Sequence, residues 1–265
     1  MNFLYQGRSI MSQTMDGKKI NFKNSRGLKI VANLYRADSN IIIIMAHGFT
    51  NDKSSNGRFD DLAEALNKVG YDVLAIDFSG CGESDDNSIT LTNQVDDLNS
   101  AIQFALGKGY KKIGLFGNSF GTLACLKNYR KEVITMVLVG ALTDSMQYDW
   151  NDYFSKKQLD NLHKQGFFYF CTNRKHKITN QTLMDFEQIN QKDLFRNVDC
   201  PILIIHGDNI KDQEELQLLE RSQKAINTII DNSKLEIVKG SKHGMRKDWD
   251  KVIDITCKWY SKYIY

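Results

Sequence analysis

Ile113-Gly114-Leu115-Phe116-Gly117-Asn118-Ser119-Phe120-Gly121 is a short apolar run that leads into the pattern G-x-S-x-G. The apolar spacing predicts a strand over 113–116 and a helix over 120–129, so the pattern lies on the turn between them. Glycines at both ends leave room for a sharp turn that exposes the serine hydroxyl at the carboxyl end of the strand. In this position the pattern indicates a nucleophile, Ser119, in preference to a plain turn serine.

Strands and helices alternate on both sides of this turn. Apolar, β-branched runs predict strands over 18–23, 28–35, 41–46, 73–76, 133–139, 202–205 and 234–238. Helical spacing of apolar residues predicts helices over 59–69, 91–106, 214–226 and 249–260. The run over 41–46 is apolar throughout, which is typical of a strand buried on both faces. The alternation predicts an α/β fold, with a mostly parallel central sheet covered by helices on both faces.

The alternation breaks between residues 144 and 197, where the chain is polar, aromatic and irregular in pattern. We predict one α/β core formed by residues 1–143 and 198–265, with residues 144–197 inserted as a cap over the active site. Its aromatic side chains could equally line an apolar pocket or anchor the insert to the core: Trp150, Tyr153, Phe154, Phe167, Phe168, Tyr169 and Phe170. The basic run 174–177 is predicted to be a solvated turn, with steering of an acidic substrate as the weaker alternative.

Composition excludes several classes of protein. The 265 residues include 35 Lys and Arg against 32 Asp and Glu, for a formal net charge of +3, and 42% are hydrophobic. This hydrophobic content is typical of a soluble globular protein and excludes disorder. A net charge so close to zero gives no sign of a basic surface that could bind a polyanion, so no nucleic-acid partner is expected.

Cysteine usage and hydropathy bear on the cell compartment. There are five cysteines, an odd number, and no two form a C-x-x-C, which favours reduced thiols over a disulfide framework or a zinc site. Residues 1–17 contain no apolar run long enough for a signal peptide, and the apolar run over 41–46 is too short to span a membrane. We therefore predict a cytoplasmic protein without a membrane partner.

A serine hydroxyl is a weak nucleophile near neutral pH and needs a base. His243 lies between the last predicted strand and the last predicted helix, at the same edge of the sheet as Ser119, so it can face the hydroxyl. The other four histidines are not predicted to be the base. At the ends of strands, His47 and His206 are expected to form structural hydrogen bonds, and His163 and His176 are expected at the surface of the insert.

Acyl transfer also needs two donors for the developing oxyanion. One is the backbone N–H of Phe120, which follows the nucleophile. The second is expected in the loop after the strand over 41–46, where we choose the N–H of Phe49. Gly48 precedes it and lets the backbone approach a substrate closely.

Four segments then appear in a characteristic order: 47–50 with 53–55, 77–84, 117–121, and 204–208 with 243–244. With them the sequence resembles the α/β-hydrolase superfamily, and most closely the small bacterial esterases of the cinnamoyl/feruloyl type within the serine aminopeptidase-like group. The segment 77–84, Asp-Phe-Ser-Gly-Cys-Gly-Glu-Ser, is interpreted as a structural loop at the site rim and not as a phosphate-binding loop. Cys81 within it is not a predicted nucleophile.

The resemblance implies a Ser–acid–His triad in that chain order, and Ser119 and His243 carry over directly. Relatives commonly read H-G-x-x-D, but the aspartate position is Ile210 in this sequence. We interpret the loop as carrying an insertion that moves the acid to Asp212. Asp208 is the next choice, followed by Glu214. A further alternative is an impaired triad in a protein that binds its ligand without catalysis.

The predicted function is hydrolysis of carboxylic esters, with small or aromatic acyl groups, through an acyl-enzyme on Ser119. The expected partner is a small-molecule ester, and the mechanism needs neither a metal nor an organic cofactor. An acyltransferase or thioesterase with the same triad, or a non-catalytic binding protein, remains an alternative. No oligomeric state is predicted.

Overall fold

A computed structural model describes residues 17–265. Residues 1–16 lie outside the described residues, and so does most of the segment 1–17 on which the prediction about a signal peptide rests. Within 17–265 the strands are β1 (Lys18–Lys23), β2 (Lys29–Tyr35), β3 (Ile41–Ala46), β4 (Asp72–Ile76), β5 (Lys112–Asn118), β6 (Val133–Val139), β7 (Phe167–Cys171), β8 (Lys175–Thr179), β9 (Ile202–Gly207) and β10 (Lys234–Val238). The helices are α1 (Arg58–Lys68), α2 (Leu91–Gly107), α3 (Gly121–Lys127), α4 (Lys156–Gln165), α5 (Asn180–Glu187), α6 (Gln191–Phe195), α7 (Gln213–Ala225) and α8 (Trp249–Tyr263).

Eight of these strands form one sheet in the order β1-β2-β4-β3-β5-β6-β9-β10. The six strands from β4 to β10 run parallel to one another, whereas β2 pairs antiparallel with both β1 and β4. The predicted mostly parallel α/β sheet is therefore confirmed. Because the six strands are parallel, the loops that follow β3, β5, β9 and β10 all emerge at one edge, where α/β proteins build their sites.

Strand β3 shows why the sheet is buried on both faces. All six of its residues are buried, and alternate side chains point to opposite faces. Ile42 and Ile44 belong to the core on the face covered by α2 and α3, and Ile41 and Ile43 belong to the core under α1 and α8. A continuous apolar run is what such a position requires.

The insert, residues 144–197, is more regular than predicted. It contains α4, α5, α6 and a separate antiparallel hairpin of β7 and β8. Short polar caps define these elements, since Ser155 with Gln158 forms a reciprocal capping box at α4 and Thr179 with Thr182 forms one at α5. Apolar periodicity is weak in this polar segment, so the capping residues were the sequence signal that marks these two helices.

The hairpin of the insert is attached to the loop that follows β4, which corrects two predictions. His176 is fully buried and not a surface residue, with Nδ1 3.0 Å from the Gly80 carbonyl oxygen. The Arg174 guanidinium is not simply solvated, because it donates to the carbonyl oxygens of Gly82 and Ser84 at 2.9 Å each. These loop carbonyls need donors, and the basic residues of the hairpin supply them.

The 77–84 loop is held by the buried Asp77 carboxylate and by hydrogen bonds within the loop region. Asp77 is fully buried and accepts from the Lys53 ammonium at 2.8 Å and from the Glu83 N–H at 2.9 Å. The N–H groups of Gly80 and Cys81 are bonded to carbonyl oxygens of the same loop region, so they do not offer themselves to a phosphate. Burial raises the pKa of the Cys81 thiol, which keeps it protonated and unreactive.

The remaining whole-chain expectations concern thiols and membranes. None of the five cysteines forms a disulfide within residues 17–265, as the spacing predicted. No helix in the same part of the chain combines the length and the apolar character needed to cross a membrane.

Candidate active site

Ser119 lies directly after β5, in the middle of the sheet, and starts the turn into α3. Its φ is 51°, in the left-handed region that a non-glycine residue rarely adopts. The turn closes tightly over the loop after β3, since a Cβ added to Gly121 would lie 2.4 Å from the His47 carbonyl oxygen. The strained backbone is a feature that clusters at functional sites.

The structure brings His243 to this serine. Its Nε2 atom is 2.9 Å from the Ser119 Oγ atom, and its side chain is 24% exposed. The ring occupies space left by Gly140 after β6, where an added Cβ would come within 2.8 Å of the imidazole. The loop after β10 therefore faces the loop after β5, as the strand order predicts.

Glu215, in the first turn of α7, contacts the other side of the imidazole. Its Oε2 atom is 2.6 Å from the His243 Nδ1 atom. Its Oε1 atom accepts from the Gly207 N–H at 2.7 Å and lies 2.9 Å from His206 Nδ1. The Glu215 side chain is fully buried, so these three contacts fix both carboxylate oxygens.

The predicted position of the acid at Asp212 is wrong for contact with the imidazole. Asp212 is the N-cap of α7, and its carboxylate accepts from the backbone N–H of Glu215 at 3.1 Å and of His243 at 3.0 Å. The cap uses the short aspartate side chain, whereas the glutamate three residues later points back and reaches the ring. Asp212 positions both ends of the His243–Glu215 pair through the backbone.

The other two predicted acids also lie elsewhere. Asp208 accepts from the Gly240 N–H at 2.5 Å and so joins the loops after β9 and β10. Glu214 accepts from the Tyr148 hydroxyl at 2.9 Å. Glu215 is not among the acids predicted from the sequence. The signal for it was the D-x-x-E spacing from Asp212, which is a helix-capping pattern directly after the strand that carries the acid loop.

Charge and burial oppose each other in this pair. Burial alone raises the pKa of Glu215, but the hydrogen bonds from His206 and His243 outweigh it and lower the pKa to about 2. Burial alone lowers the pKa of His243, but the hydrogen bond and charge of Glu215 raise it above the ordinary value of 6.5. The geometry thus favours an ionised carboxylate beside a basic imidazole.

The two predicted oxyanion donors flank Ser119. Gly48 is close enough that an added Cβ would be 3.1 Å from the Ser119 Cβ, so the loop carrying Phe49 touches the nucleophile. No hydrogen bond joins the N–H of Phe49 or of Phe120 to another group within residues 17–265. His47 fixes this loop, since its Nδ1–H donates to the Gly48 oxygen at 2.8 Å and its Nε2 accepts from the Phe78 N–H at 3.2 Å.

Comparison with known proteins finds a matching family model and solved structures with the same architecture. A family model described as serine aminopeptidase, S33, matches residues 37–167. The structure of Est1E from Butyrivibrio proteoclasticus, solved with ferulic acid bound, superposes with a TM-score of 0.74 at 19% identity, over 92% of this chain and 99% of that one. The chain has the α/β-hydrolase fold. The α/β-hydrolase fold expected from the sequence is thereby confirmed.

Two further esterases share this α/β-hydrolase fold. The Pyrococcus furiosus esterase Pf2001 gives a TM-score of 0.71 at 18% identity, over 95% of this chain and 92% of that one. The Exiguobacterium antarcticum esterase EaEST gives 0.70 at 20% identity, over 92% of this chain and 100% of that one. No curated protein sequence matches the chain.

In this α/β-hydrolase fold, side chains from the insert and from the loops after β3 and β5 meet in one aromatic cluster. The Phe186 ring stacks on the Phe120 ring at 4.5 Å and meets the Phe49 ring edge-on at 5.5 Å. Tyr148 and Trp150 pack against the other sides of Phe186 at 5.6 and 5.8 Å. We call these five residues the aromatic wall. The insert is thus anchored to the core at the site itself, with Phe120 and Phe186 buried in this contact and the other three rings partly exposed.

The aromatic wall is tied to α7 by a hydrogen bond that can be tested. Burial and the neighbouring Glu214 charge raise the pKa of Tyr148, so its phenol stays a donor to Glu214. We expect Tyr148→Phe to lower the free energy of unfolding by about 1–2 kcal/mol, measured by urea titration, because a half-buried carboxylate loses a donor. Tyr169→Phe, on an exposed ring of the same insert, is the matched control and should leave stability unchanged. Equal stability of the two variants would contradict the tether.

The opposed pKa shifts also predict a pH dependence. His243 must be neutral to take a proton from Ser119, so kcat/KM should fall as the pH drops through the pKa of His243. Because Glu215 raises that pKa, we expect the acidic limb of the profile to lie above pH 6.5. In Glu215→Gln the charge is lost and burial alone remains, so the limb should move to lower pH. A limb that does not move would show that Glu215 does not act on His243.

Proposed function

We propose that the chain is a serine hydrolase that cleaves carboxylic esters, with Ser119 as nucleophile, His243 as general base and Glu215 as the triad acid. The observation that carries the proposal is one continuous line of contacts, 2.9 Å from Ser119 Oγ to His243 Nε2 and 2.6 Å from His243 Nδ1 to Glu215 Oε2. This is the arrangement of nucleophile, base and orienting acid that acyl transfer requires.

The reaction proceeds in two steps through an acyl-enzyme. His243 takes the proton of Ser119 as Oγ attacks the ester carbonyl, and the N–H groups of Phe49 and Phe120 stabilise the oxyanion. The imidazolium then protonates the leaving alcohol. A water molecule, deprotonated by His243, releases the acid and restores the serine. Glu215 holds the ring with Nδ1 protonated and stabilises the imidazolium formed in each step.

The substrate class follows from the surroundings of the serine. The partly exposed rings of the aromatic wall, Phe49, Tyr148 and Trp150, offer apolar surface to an acyl group, which favours small or aromatic acyl esters. Est1E, of the same fold, is solved with ferulic acid bound, and this agrees with an aromatic acyl group. Residues 144–197 contribute three of the five rings, so we assign the insert the role of a cap over the site. The free cysteines agree with a cytoplasmic location, which stays a prediction.

The experiment that tests the proposed function is a panel of nitrophenyl esters and acyl thioesters of increasing acyl size, run beside labelling with a fluorophosphonate. We expect turnover of short-chain and aromatic esters and a single labelled residue, Ser119. Preferential turnover of thioesters would replace the esterase assignment with a thioesterase. Folded protein that neither turns over any ester nor takes up the label would indicate a binding protein.

A further inference from the structure

Glu215 is shared by two imidazole rings, and the triad uses only one of them. The second belongs to His206, the penultimate residue of β9, which is fully buried. Its Nδ1 atom is 2.9 Å from Glu215 Oε1, the oxygen that does not contact His243. The acid is therefore held from both ends by histidines, with the Gly207 N–H as third donor.

His206 has a hydrogen-bond partner on each side of its ring. Its Nε2 atom is 2.8 Å from the Ser222 hydroxyl, which is 3.1 Å from the Thr143 hydroxyl. An ionised carboxylate only accepts, so Nδ1 of His206 carries a hydrogen and donates to Glu215. With both ring nitrogens hydrogen-bonded in a fully buried position, the orientation of the ring is fixed.

The position of the carboxylate matters for the chemistry at its other end. Glu215 Oε2 orients the His243 ring only while the carboxylate stays in place. The Nδ1–H of His206 holds Oε1 and thereby fixes the whole carboxylate. This role is analogous to that of outer-shell partners that orient metal ligands.

We infer that His206 is a positioning residue for the hydrolase reaction: held by Ser222 on its far side, it fixes the Glu215 carboxylate against His243. The inference rests on the proposed function, because it concerns the acid of the proposed triad. His206 does not contact Ser119, so its loss should lower kcat and leave KM nearly unchanged.

The test compares His206→Leu, which removes the donor, with His206→Asn, whose amide N–H can take the place of the Nδ1–H. Turnover is measured per Ser119 that reacts with the fluorophosphonate, so unfolded protein does not count. We expect His206→Leu to lower kcat by about 10–100-fold with KM within about twofold, and His206→Asn to recover most of the loss. His163→Leu, on an exposed histidine of α4, is the matched control and should match the wild type.

Two results would overturn the inference: a wild-type kcat per labelled serine in His206→Leu, or equal impairment of the Leu and Asn variants. If His206→Leu does not fold, Ser222→Ala serves instead. Without Ser222 the far side of the His206 ring loses its hydrogen-bond partner and the ring is held less firmly against Glu215, so kcat should fall severalfold, and an unchanged kcat would count against the inference.

A proton NMR measurement separates this inference from the proposed function. The His243 Nδ1–H in contact with Glu215 should give a low-field resonance in the wild type and in His206→Asn, and it should be lost or moved upfield in His206→Leu. That pattern in a protein without ester turnover would refute the proposed function and support the positioning role. Turnover by the wild type with an unaltered resonance in His206→Leu would refute the positioning role alone.

Discussion

Replacing Ser119 with alanine is expected to lower kcat for a short-chain nitrophenyl ester by about 10⁶-fold. The change removes the only atom that can form the acyl-enzyme, and it leaves His243 without a proton to abstract. The Oγ atom is also the group that His243 Nε2 contacts at 2.9 Å, so the alanine variant lacks the hydroxyl on which the proposed base would act. Some acceleration over water should remain from the oxyanion donors and from substrate binding.

The measurement is kcat and fluorophosphonate labelling of Ser119→Ala beside a matched serine-to-alanine control at Ser100. Ser100 lies on α2, and its hydroxyl bonds to the Asp96 carbonyl oxygen within the same helix. Ser100→Ala should keep both the rate and the label. Retention of activity in Ser119→Ala would remove this residue as the nucleophile and leave the proposed mechanism without a first step.

Replacing Glu215 with glutamine is expected to lower kcat by about 10⁴-fold, whereas Asp212→Asn should cost less than about tenfold. The glutamine is the same size but has no charge to stabilise the imidazolium of His243. In Glu215 the two carboxylate oxygens accept from His206, Gly207 and His243. The glutamine amide has only one oxygen, so at least one of these donors loses its acceptor. The asparagine retains an oxygen that can accept one of the two backbone N–H groups bound by Asp212.

Both variants are single carboxylate-to-amide changes within one helical turn, so each serves as the control for the other. Thermal unfolding of the two proteins separates a loss of rate from a loss of fold. A larger loss in Asp212→Asn than in Glu215→Gln would reassign the acid to the aspartate that the loop sequence favours.

The sequence predicted most of the fold because the core elements are encoded locally. The apolar run of β3 and the strand–turn–helix context of Ser119 are visible in consecutive residues, and strand order then places His243 opposite the serine. The acid is different, because its identity depends on side-chain length and on which carboxylate caps α7. The pattern H-G-x-x-D of relatives pointed to an aspartate in the loop after β9, whereas the residue that contacts His243 is Glu215 in the first turn of α7.

His176 shows a second limit of the same kind. Its sequence neighbours are basic and polar, as in a surface turn, yet it is buried because the carbonyl oxygen of Gly80, 96 residues earlier, needs a donor. Long-range pairing of backbone groups leaves no local periodicity in the sequence. The helices of the insert were missed for a different reason, since a helix such as α4, which buries Leu162 alone, has too few apolar residues to show a helical period.

The first turn of α7 carries two adjacent glutamates with different partners. Glu215 contacts the His243 imidazole, and Glu214 accepts from Tyr148 of the insert. An insert exchanged with that of another protein of this fold would therefore leave the Glu214 carboxylate without this phenol donor, directly beside Glu215. Chimeras should be designed with Glu214 and the tyrosine transferred together, because a change in specificity would otherwise be accompanied by a disturbance of the Glu215–His243 pair.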